Sequence, residues 1–94
     1  MAEGIKAVRF TRRFKKSFGN LPLEIQHAFE KKLELFLKER SHSSLRIKRV
    51  QGTKDIWEGS ITMKYRFTFQ ILDDMVIFRN IGTHKILEKE SRRG

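Results

Sequence analysis

The side chains best suited to chemistry in this chain are several cations, one carboxylate and one imidazole, all from residue 46 onward. They are Arg46, Lys48, Glu58, Arg66, Arg79 and His84. Such a set suits cleavage of an RNA phosphodiester without a metal, which needs a base for the 2′-hydroxyl, an acid for the departing 5′-oxygen and cations for the phosphate. His84 is the candidate for proton transfer, because imidazole does this best near neutral pH. Glu58 fits either of two roles, general base or ion-pair partner of Arg66.

Other chemistries lack their residues. The chain has no cysteine, so it has neither disulfides nor thiolate-bound metal. It also contains no GxSxG, P-loop or HExxH motif. The histidines His27, His42 and His84 are far apart, and Asp73-Asp74 has the composition of a tight turn. We therefore expect no metal site and no cofactor.

Length and charge indicate one small domain, residues 1–94, with a polyanionic partner. The chain has 94 residues and a net charge of +10. Charges balance between Leu21 and Ser44, so the surplus lies in the N-terminal quarter and the C-terminal half. The cations expected to contact RNA are Arg46, Lys48, Arg49, Lys54 and Lys64. No signal peptide or membrane span is evident, which favours a cytoplasmic location.

The first half predicts a strand and two helices. A short strand spans Lys6 to Thr11, and the Thr11 hydroxyl is placed to cap a helix that carries Phe14, Phe18 and Leu21 on one side. A longer amphipathic helix begins near Pro22 and ends before the serine-rich segment 41–44.

The second half predicts four strands, which lie within Leu45–Lys48, Trp57–Ile61, Tyr65–Ile71 and Met75–Ile81. The order β-α-α-β-β-β-β describes an α+β domain with both helices on one face of a mostly antiparallel sheet. The polar segment 88–94 is expected to fray.

Strand alternation predicts which residues share the face away from the helices, the open face of the sheet. A tight hairpin at Asp73-Asp74 sets Phe69 opposite Phe78 and Thr68 opposite Arg79, and the preceding turn near Thr62-Met63 brings Glu58 roughly opposite Arg66. The open face then collects Arg46, Lys48, Glu58, Arg66 and Arg79, with His84 just beyond its edge.

At these strands the sequence resembles the RelE/ParE superfamily of bacterial toxins. The resemblance runs from about Val8 to Leu87 and is carried by the segments 14–18, 45–52, 56–58, 65–67 and 80–84, the last reading Asn-Ile-Gly-Thr-His. It implies the toxin of a type II toxin–antitoxin pair that cuts mRNA on the ribosome and is silenced by an antitoxin.

The resemblance also implies residue roles. Arg66 matches the arginine that contacts the scissile phosphate, Lys48 and Arg49 lie in the strand that serves RNA, and His84 is similar to the acid–base histidine of the YafQ-like and YoeB-like branches. The chain departs from RelE in having no tyrosine after Tyr65, so the general base stays open. Two alternatives remain: a ParE-like DNA gyrase inhibitor without catalysis, and an inert binding module with this fold.

Overall fold

A computed structural model of the chain describes residues 5–93. The strands are β1 (Ala7–Phe10), β2 (Lys48–Arg49), β3 (Trp57–Ser60), β4 (Tyr65–Leu72) and β5 (Met75–Thr83). The helices are α1 (Arg12–Gly19), α2 (Leu23–Lys38) and α3 (Ile86–Arg93), and a 3₁₀ turn spans Ser43–Leu45. The predicted element order is confirmed through β5, and α3 follows it.

The five strands form one mixed sheet in the order β1-β5-β4-β3-β2. Only the β1–β5 pair is parallel, and the other neighbours are antiparallel. The first strand therefore pairs with the last, which places β5 inside the sheet and β2 at one edge. The predicted α+β class, with helices α1 and α2 on one face of a mostly antiparallel sheet, is confirmed.

Phenylalanine rings fill the space between these helices and the sheet. Phe78 on β5 lies in ring contact with Phe14 of α1 and with Phe29 and Phe36 of α2. Phe67 and Phe69 of β4 complete the cluster, and all of these rings are buried. Aromatic pairs contribute about 0.5–1.5 kcal/mol each beyond the burial of their area. The cluster thus holds α1 and α2 on one face of the sheet, and neither of these helices covers the open face.

Thr11 joins the first helix to β5. Its hydroxyl oxygen accepts a hydrogen bond from the Phe14 backbone N–H at 3.0 Å and donates one to the Arg79 carbonyl at 2.7 Å. The predicted helix cap is therefore confirmed, and the same side chain also satisfies a backbone carbonyl of β5 beyond the end of β1.

The predicted strand Leu45–Lys48 is wrong over most of its length. Leu45 ends the 3₁₀ turn, Arg46 adopts a left-handed backbone with φ of 48°, and pairing begins only at Lys48. Upstream, the His42 ring Nδ1 accepts a hydrogen bond from the Ser44 backbone N–H at 3.1 Å. This local bond stabilises a turn in place of an extended strand.

The β4–β5 hairpin has the predicted turn but not the whole predicted register. Asp73 has a φ of 56°, and Phe69 faces Phe78 as expected. Beyond that pair a β-bulge shifts the register, so Thr68 faces Asn80 and Arg79 is the additional residue. The prediction that Thr68 faces Arg79 is wrong for this reason.

After β5 the chain continues as helix α3 over residues 86–93, a helix that was not predicted from the sequence. Ile86 is buried, and a Cβ added at Gly82 would lie 3.0 Å from its Cγ2 atom, so the helix begins close against β5. Gly94 lies outside the described residues. None of the helices within residues 5–93 is long and apolar enough to cross a membrane.

Gly59 is the position where a small side chain should cost most. A Cβ there would lie 2.3 Å from the Phe67 ring, which is fully buried. We expect Gly59→Ala to lower the free energy of unfolding by about 1–3 kcal/mol, the usual cost of overpacking a core. Urea denaturation measures the change.

Gly19→Ala is the matched control, because a Cβ at the end of α1 meets no atom within 4 Å. This control should unfold at the wild-type midpoint or slightly above it. Equal midpoints for the two variants would show that Phe67 does not pack against Gly59 in this way.

Candidate active site

The open face of the sheet, opposite α1 and α2, carries a cluster of charged and polar side chains. Lys48 of β2 pairs with Glu58 of β3, and Glu58 pairs with Thr68 of β4. Arg66 joins this group through an ion pair with Glu58, and Arg79 joins it together with Gln70, to which it donates a hydrogen bond. The residues of the open face are thus Lys48, Glu58, Arg66, Thr68, Gln70 and Arg79.

Arg66 is held at the β3–β4 turn. Its Nη1 atom donates to the carbonyl oxygens of Thr62 at 2.7 Å and Met63 at 2.9 Å. Its Nε atom lies 3.7 Å from Glu58 Oε1, a loose ion pair. The side chain is still 21% exposed. Backbone oxygens thus hold the guanidinium in place, while part of the side chain faces solvent.

Glu58 is almost enclosed, with its side chain 7% exposed. The sequence placed it roughly opposite Arg66, but the register sets Ser60 opposite Arg66 and Thr68 opposite Glu58. The ion pair with Arg66 is therefore diagonal across the two strands. Of the two roles considered for Glu58, the structure contains the contact required for the ion-pair role.

Arg79 is occupied by helix α3. Its Nε donates to both carboxylate oxygens of Glu90, at 3.2 and 3.1 Å, and its Nη2 donates to Glu90 Oε1 at 3.1 Å. Its Nη1 donates to the Gln70 side-chain oxygen at 2.7 Å. Such a forked guanidinium–carboxylate pair is among the strongest side-chain contacts. A phosphate could reach Arg79 only in competition with Glu90.

Glu90 also accepts a hydrogen bond from the Thr68 hydroxyl at 2.8 Å, and it is buried. Gln70 in turn donates to Asp55 at 3.2 Å. These contacts link α3, strands β4 and β5, and the β2–β3 loop across the open face. Sequence reasoning missed Glu90, although Ile86 and Glu90 have the four-residue spacing that puts both on one side of a helix.

His84 is exposed and follows the last residue of β5. Gly82 pairs with Arg66 and Thr83 pairs with Tyr65, so His84 leaves the sheet at the end where Arg66 lies. Its carbonyl accepts the Leu87 backbone N–H at 3.1 Å as α3 begins. The position of the imidazole therefore depends on the short connection between β5 and α3.

The remaining predicted cations divide between the two faces. Lys48 is exposed beside Glu58, whereas Arg49 pairs with Trp57 on the face that carries Phe69 and the helices. Arg46 was predicted on the open face but lines a cavity together with Trp57 and Phe69, because its left-handed backbone breaks the alternation. His42 lines the same cavity and not the open face.

Lys54 and Lys64 are both exposed, in the β2–β3 and β3–β4 connections. Lys64 therefore lies in the same turn as Thr62 and Met63, whose carbonyls hold Arg66. Among residues 5–93 no group of three or more His, Asp or Glu side chains is arranged to hold a metal ion.

Removal of the Glu90 carboxylate should release α3. Glu90→Ala leaves the Arg79 guanidinium with Gln70 and removes the acceptor of the buried Thr68 hydroxyl, at a cost of about 1–3 kcal/mol. Amide hydrogen exchange of residues 86–93 should then accelerate about 5- to 150-fold, which is the same loss expressed as a change in the opening constant.

Glu88→Ala, at an exposed position of the same helix, is the control and should exchange at close to the wild-type rate. Unchanged protection of α3 in Glu90→Ala would contradict the anchoring role of the Arg79–Glu90 pair.

The fold of this chain matches solved structures, although its sequence matches no known family. No model of a known family and no curated protein matches the sequence. A chain of the E. coli DinJ–YafQ toxin–antitoxin complex matches with a TM-score of 0.74 at 12% identity, covering 88% of this chain and 97% of that one. A chain of the Methanococcus jannaschii RelB–RelE antitoxin–toxin complex matches with a TM-score of 0.69 at 21% identity, covering 85% and 94%.

The YoeB dimer from Staphylococcus aureus matches with a TM-score of 0.68 at 8% identity, covering 86% of this chain and 99% of that one. Identities this low establish the architecture and not the activity. The strand order, the helix pair on one face and these matches together show that the chain has the RelE-like toxin fold.

Proposed function

We propose that this chain is the toxin of a type II toxin–antitoxin system and cleaves mRNA on the ribosome by metal-independent acid–base catalysis. The observation that carries the proposal is the position of Arg66. The Thr62 and Met63 carbonyls hold its guanidinium, and its side chain is partly exposed. Its backbone pairs with Gly82, two residues before His84. A cation and a proton donor at the same end of the sheet are two of the groups that phosphoryl transfer requires.

The charge of the molecule favours an RNA substrate. The chain carries +10 overall. The exposed Lys48 lies on the open face and the exposed Lys64 in the turn before Arg66, whereas the exposed Lys54 lies in the β2–β3 loop at the other end of β3. A surface of this kind attracts a phosphodiester backbone through release of its counterions. These lysines would position the strand, while Arg66 and His84 act at one phosphate.

In the proposed reaction the ribose 2′-oxygen attacks the adjacent phosphorus and forms a new P–O bond. The bond from phosphorus to the 5′-oxygen breaks, and His84 gives its proton to that oxygen, which leaves a 2′,3′-cyclic phosphate and a 5′-hydroxyl. Arg66 stabilises the charge that builds on the phosphate oxygens. The 2′-hydroxyl proton passes to a general base.

Glu58 can serve as that base only if the phosphate takes the place of its carboxylate beside Arg66 Nε. The 3.7 Å separation between Arg66 Nε and Glu58 Oε1 is longer than a good hydrogen bond, so the pair is loose enough for such an exchange. By the same reasoning, Arg79 contributes to phosphate binding only after Glu90 releases it. In the structure as it stands, Arg79 anchors α3.

Dependence on the ribosome follows from the small size of the site. An open sheet face with a few cations aligns a flexible single strand poorly, and in-line attack by the 2′-oxygen needs an accurately placed phosphate. A ribosome that already holds the mRNA would supply this alignment. The substrate also places the activity in the cytoplasm.

The proposed partner is a cognate antitoxin. Two of the three structures compared above come from toxin–antitoxin complexes, and a chain of charge +10 needs an acidic or amphipathic segment to cover it. Such a segment would compete with RNA for the same cations, which accounts for silencing without any change of fold.

His84 gives the sharpest test of the mechanism. We expect His84→Gln to fold as the wild type, because the side chain is exposed, and to cleave mRNA on programmed ribosomes about 10²- to 10⁴-fold more slowly, the usual contribution of one general acid. Single-turnover primer extension measures the rate.

His27→Gln is the control, an exposed histidine on α2, and it should cleave at the wild-type rate. A wild-type rate in His84→Gln would remove this imidazole from the proposed reaction.

A further inference from the structure

A second feature of the molecule lies on the helix side of the sheet. A cavity of about 650 Å³ opens near the C-terminal end of α2, the 3₁₀ turn and strands β3 and β4. Its apolar part is formed by Trp57, Phe69 and Ile71, and its polar part by Arg40, His42 and Arg46. We refer to these six residues as the helix-side groove.

Trp57 is the unusual member of this groove. It is the only tryptophan of the chain and is 37% exposed at the first residue of β3. It faces Phe69 across the β3–β4 pair, which places it on the helix side although its neighbour Glu58 lies on the open face. A partly exposed indole beside a cavity offers a flat surface on which another ring can stack.

The polar side of the groove is cationic. Arg40 and Arg46 line it, and none of its lining residues within the described chain is Asp or Glu. Arg46 has a left-handed φ of 48°, a conformation that costs a non-glycine residue energy. That conformation is what turns its side chain away from the predicted open face and into the groove. A guanidinium without a protein carboxylate is suited to a phosphate.

The edge strand β2 connects the groove with the open face. Lys48 pairs with Glu58 and lies on the open face, and the next residue, Arg49, pairs with Trp57 and lies on the groove side. Because β2 is the last strand of the sheet, cations continue around this edge from one face to the other. A chain of phosphates could follow the same path.

We propose that the helix-side groove binds single-stranded RNA, with one base stacked on Trp57 and an adjacent phosphate on Arg40 and Arg46. Aromatic stacking next to cations is the usual way to bind single strands without reading their sequence. An acidic peptide would satisfy the arginines but would gain little from an exposed indole. The proposal extends the proposed function and rests on it, because the choice of RNA over other polyanions comes from that function.

The fluorescence of Trp57 can measure binding directly, because it is the only tryptophan of the chain. The protein is titrated with a hexanucleotide of adenosines, using the His84→Gln background so that cleavage plays no part. The expected result is strong quenching by the oligonucleotide. Inorganic polyphosphate should compete for binding but leave the emission nearly unchanged, because it has no base to stack.

Variants locate the site. Trp57→Leu should bind the same fluorescein-labelled hexanucleotide about 5- to 150-fold more weakly, from about 1–3 kcal/mol of stacking per base, and Trp57→Phe should recover much of the affinity. Arg46→Gln should also weaken binding, with a smaller dependence on salt. Arg9→Gln is the matched control, an exposed arginine on β1 at the opposite edge of the sheet, and should bind as the parent does.

Each other outcome overturns the proposal. Equal quenching by polyphosphate would show that no base stacks on Trp57. Quenching by a glutamate-rich peptide but not by RNA would assign the groove to a protein partner. Equal loss in Arg46→Gln and Arg9→Gln would reduce the effect to net charge. Binding is measured here without cleavage. If the wild-type protein does not cleave mRNA but the groove still binds RNA as expected, only the proposed catalysis is refuted.

Discussion

The pairing of β5 with β1 on one side and β4 on the other is the constraint on which the rest of this structure depends. On the helix face, β5 contributes Phe78 to the ring cluster that holds α1 and α2. On the open face its bulged residue Arg79 holds α3 through Glu90. At its end it delivers His84. A change in the register of this strand would displace Phe78, Arg79 and His84 together.

The two arginines of the open face show how the same side chain takes different roles. Arg79 is matched by a buried carboxylate and a glutamine, so its charge is used within the fold. Arg66 donates mainly to backbone carbonyls and keeps only a 3.7 Å contact with Glu58, so its positive charge is less compensated. This difference is why the proposed phosphate contact is assigned to Arg66 first.

The sequence predicts most of the fold because its strongest patterns are local. Strict alternation in β4, the Thr11 cap and the Asp73-Asp74 turn are each decided by a few adjacent residues, and the structure contains all of them. The failures have two causes: the turn around His42 and Ser44, which is itself local, and contacts between residues that are distant in sequence. The bulge at Arg79 and the left-handed Arg46 break the alternation, and helix α3 depends on Glu90 meeting Arg79 across eleven positions. The open face was therefore predicted in part, without Glu90 and with Arg46 wrongly included.

The most direct test of the proposed function is primer extension on one mRNA, either bound to ribosomes or free in solution, with and without the wild-type protein. New cuts are expected only in the ribosome-bound mRNA, because the open face aligns too little of the RNA by itself. Intact mRNA in both cases, with the protein shown to be folded, would contradict it. Stabilised DNA breaks by gyrase in a parallel reaction would then assign the same fold to gyrase inhibition.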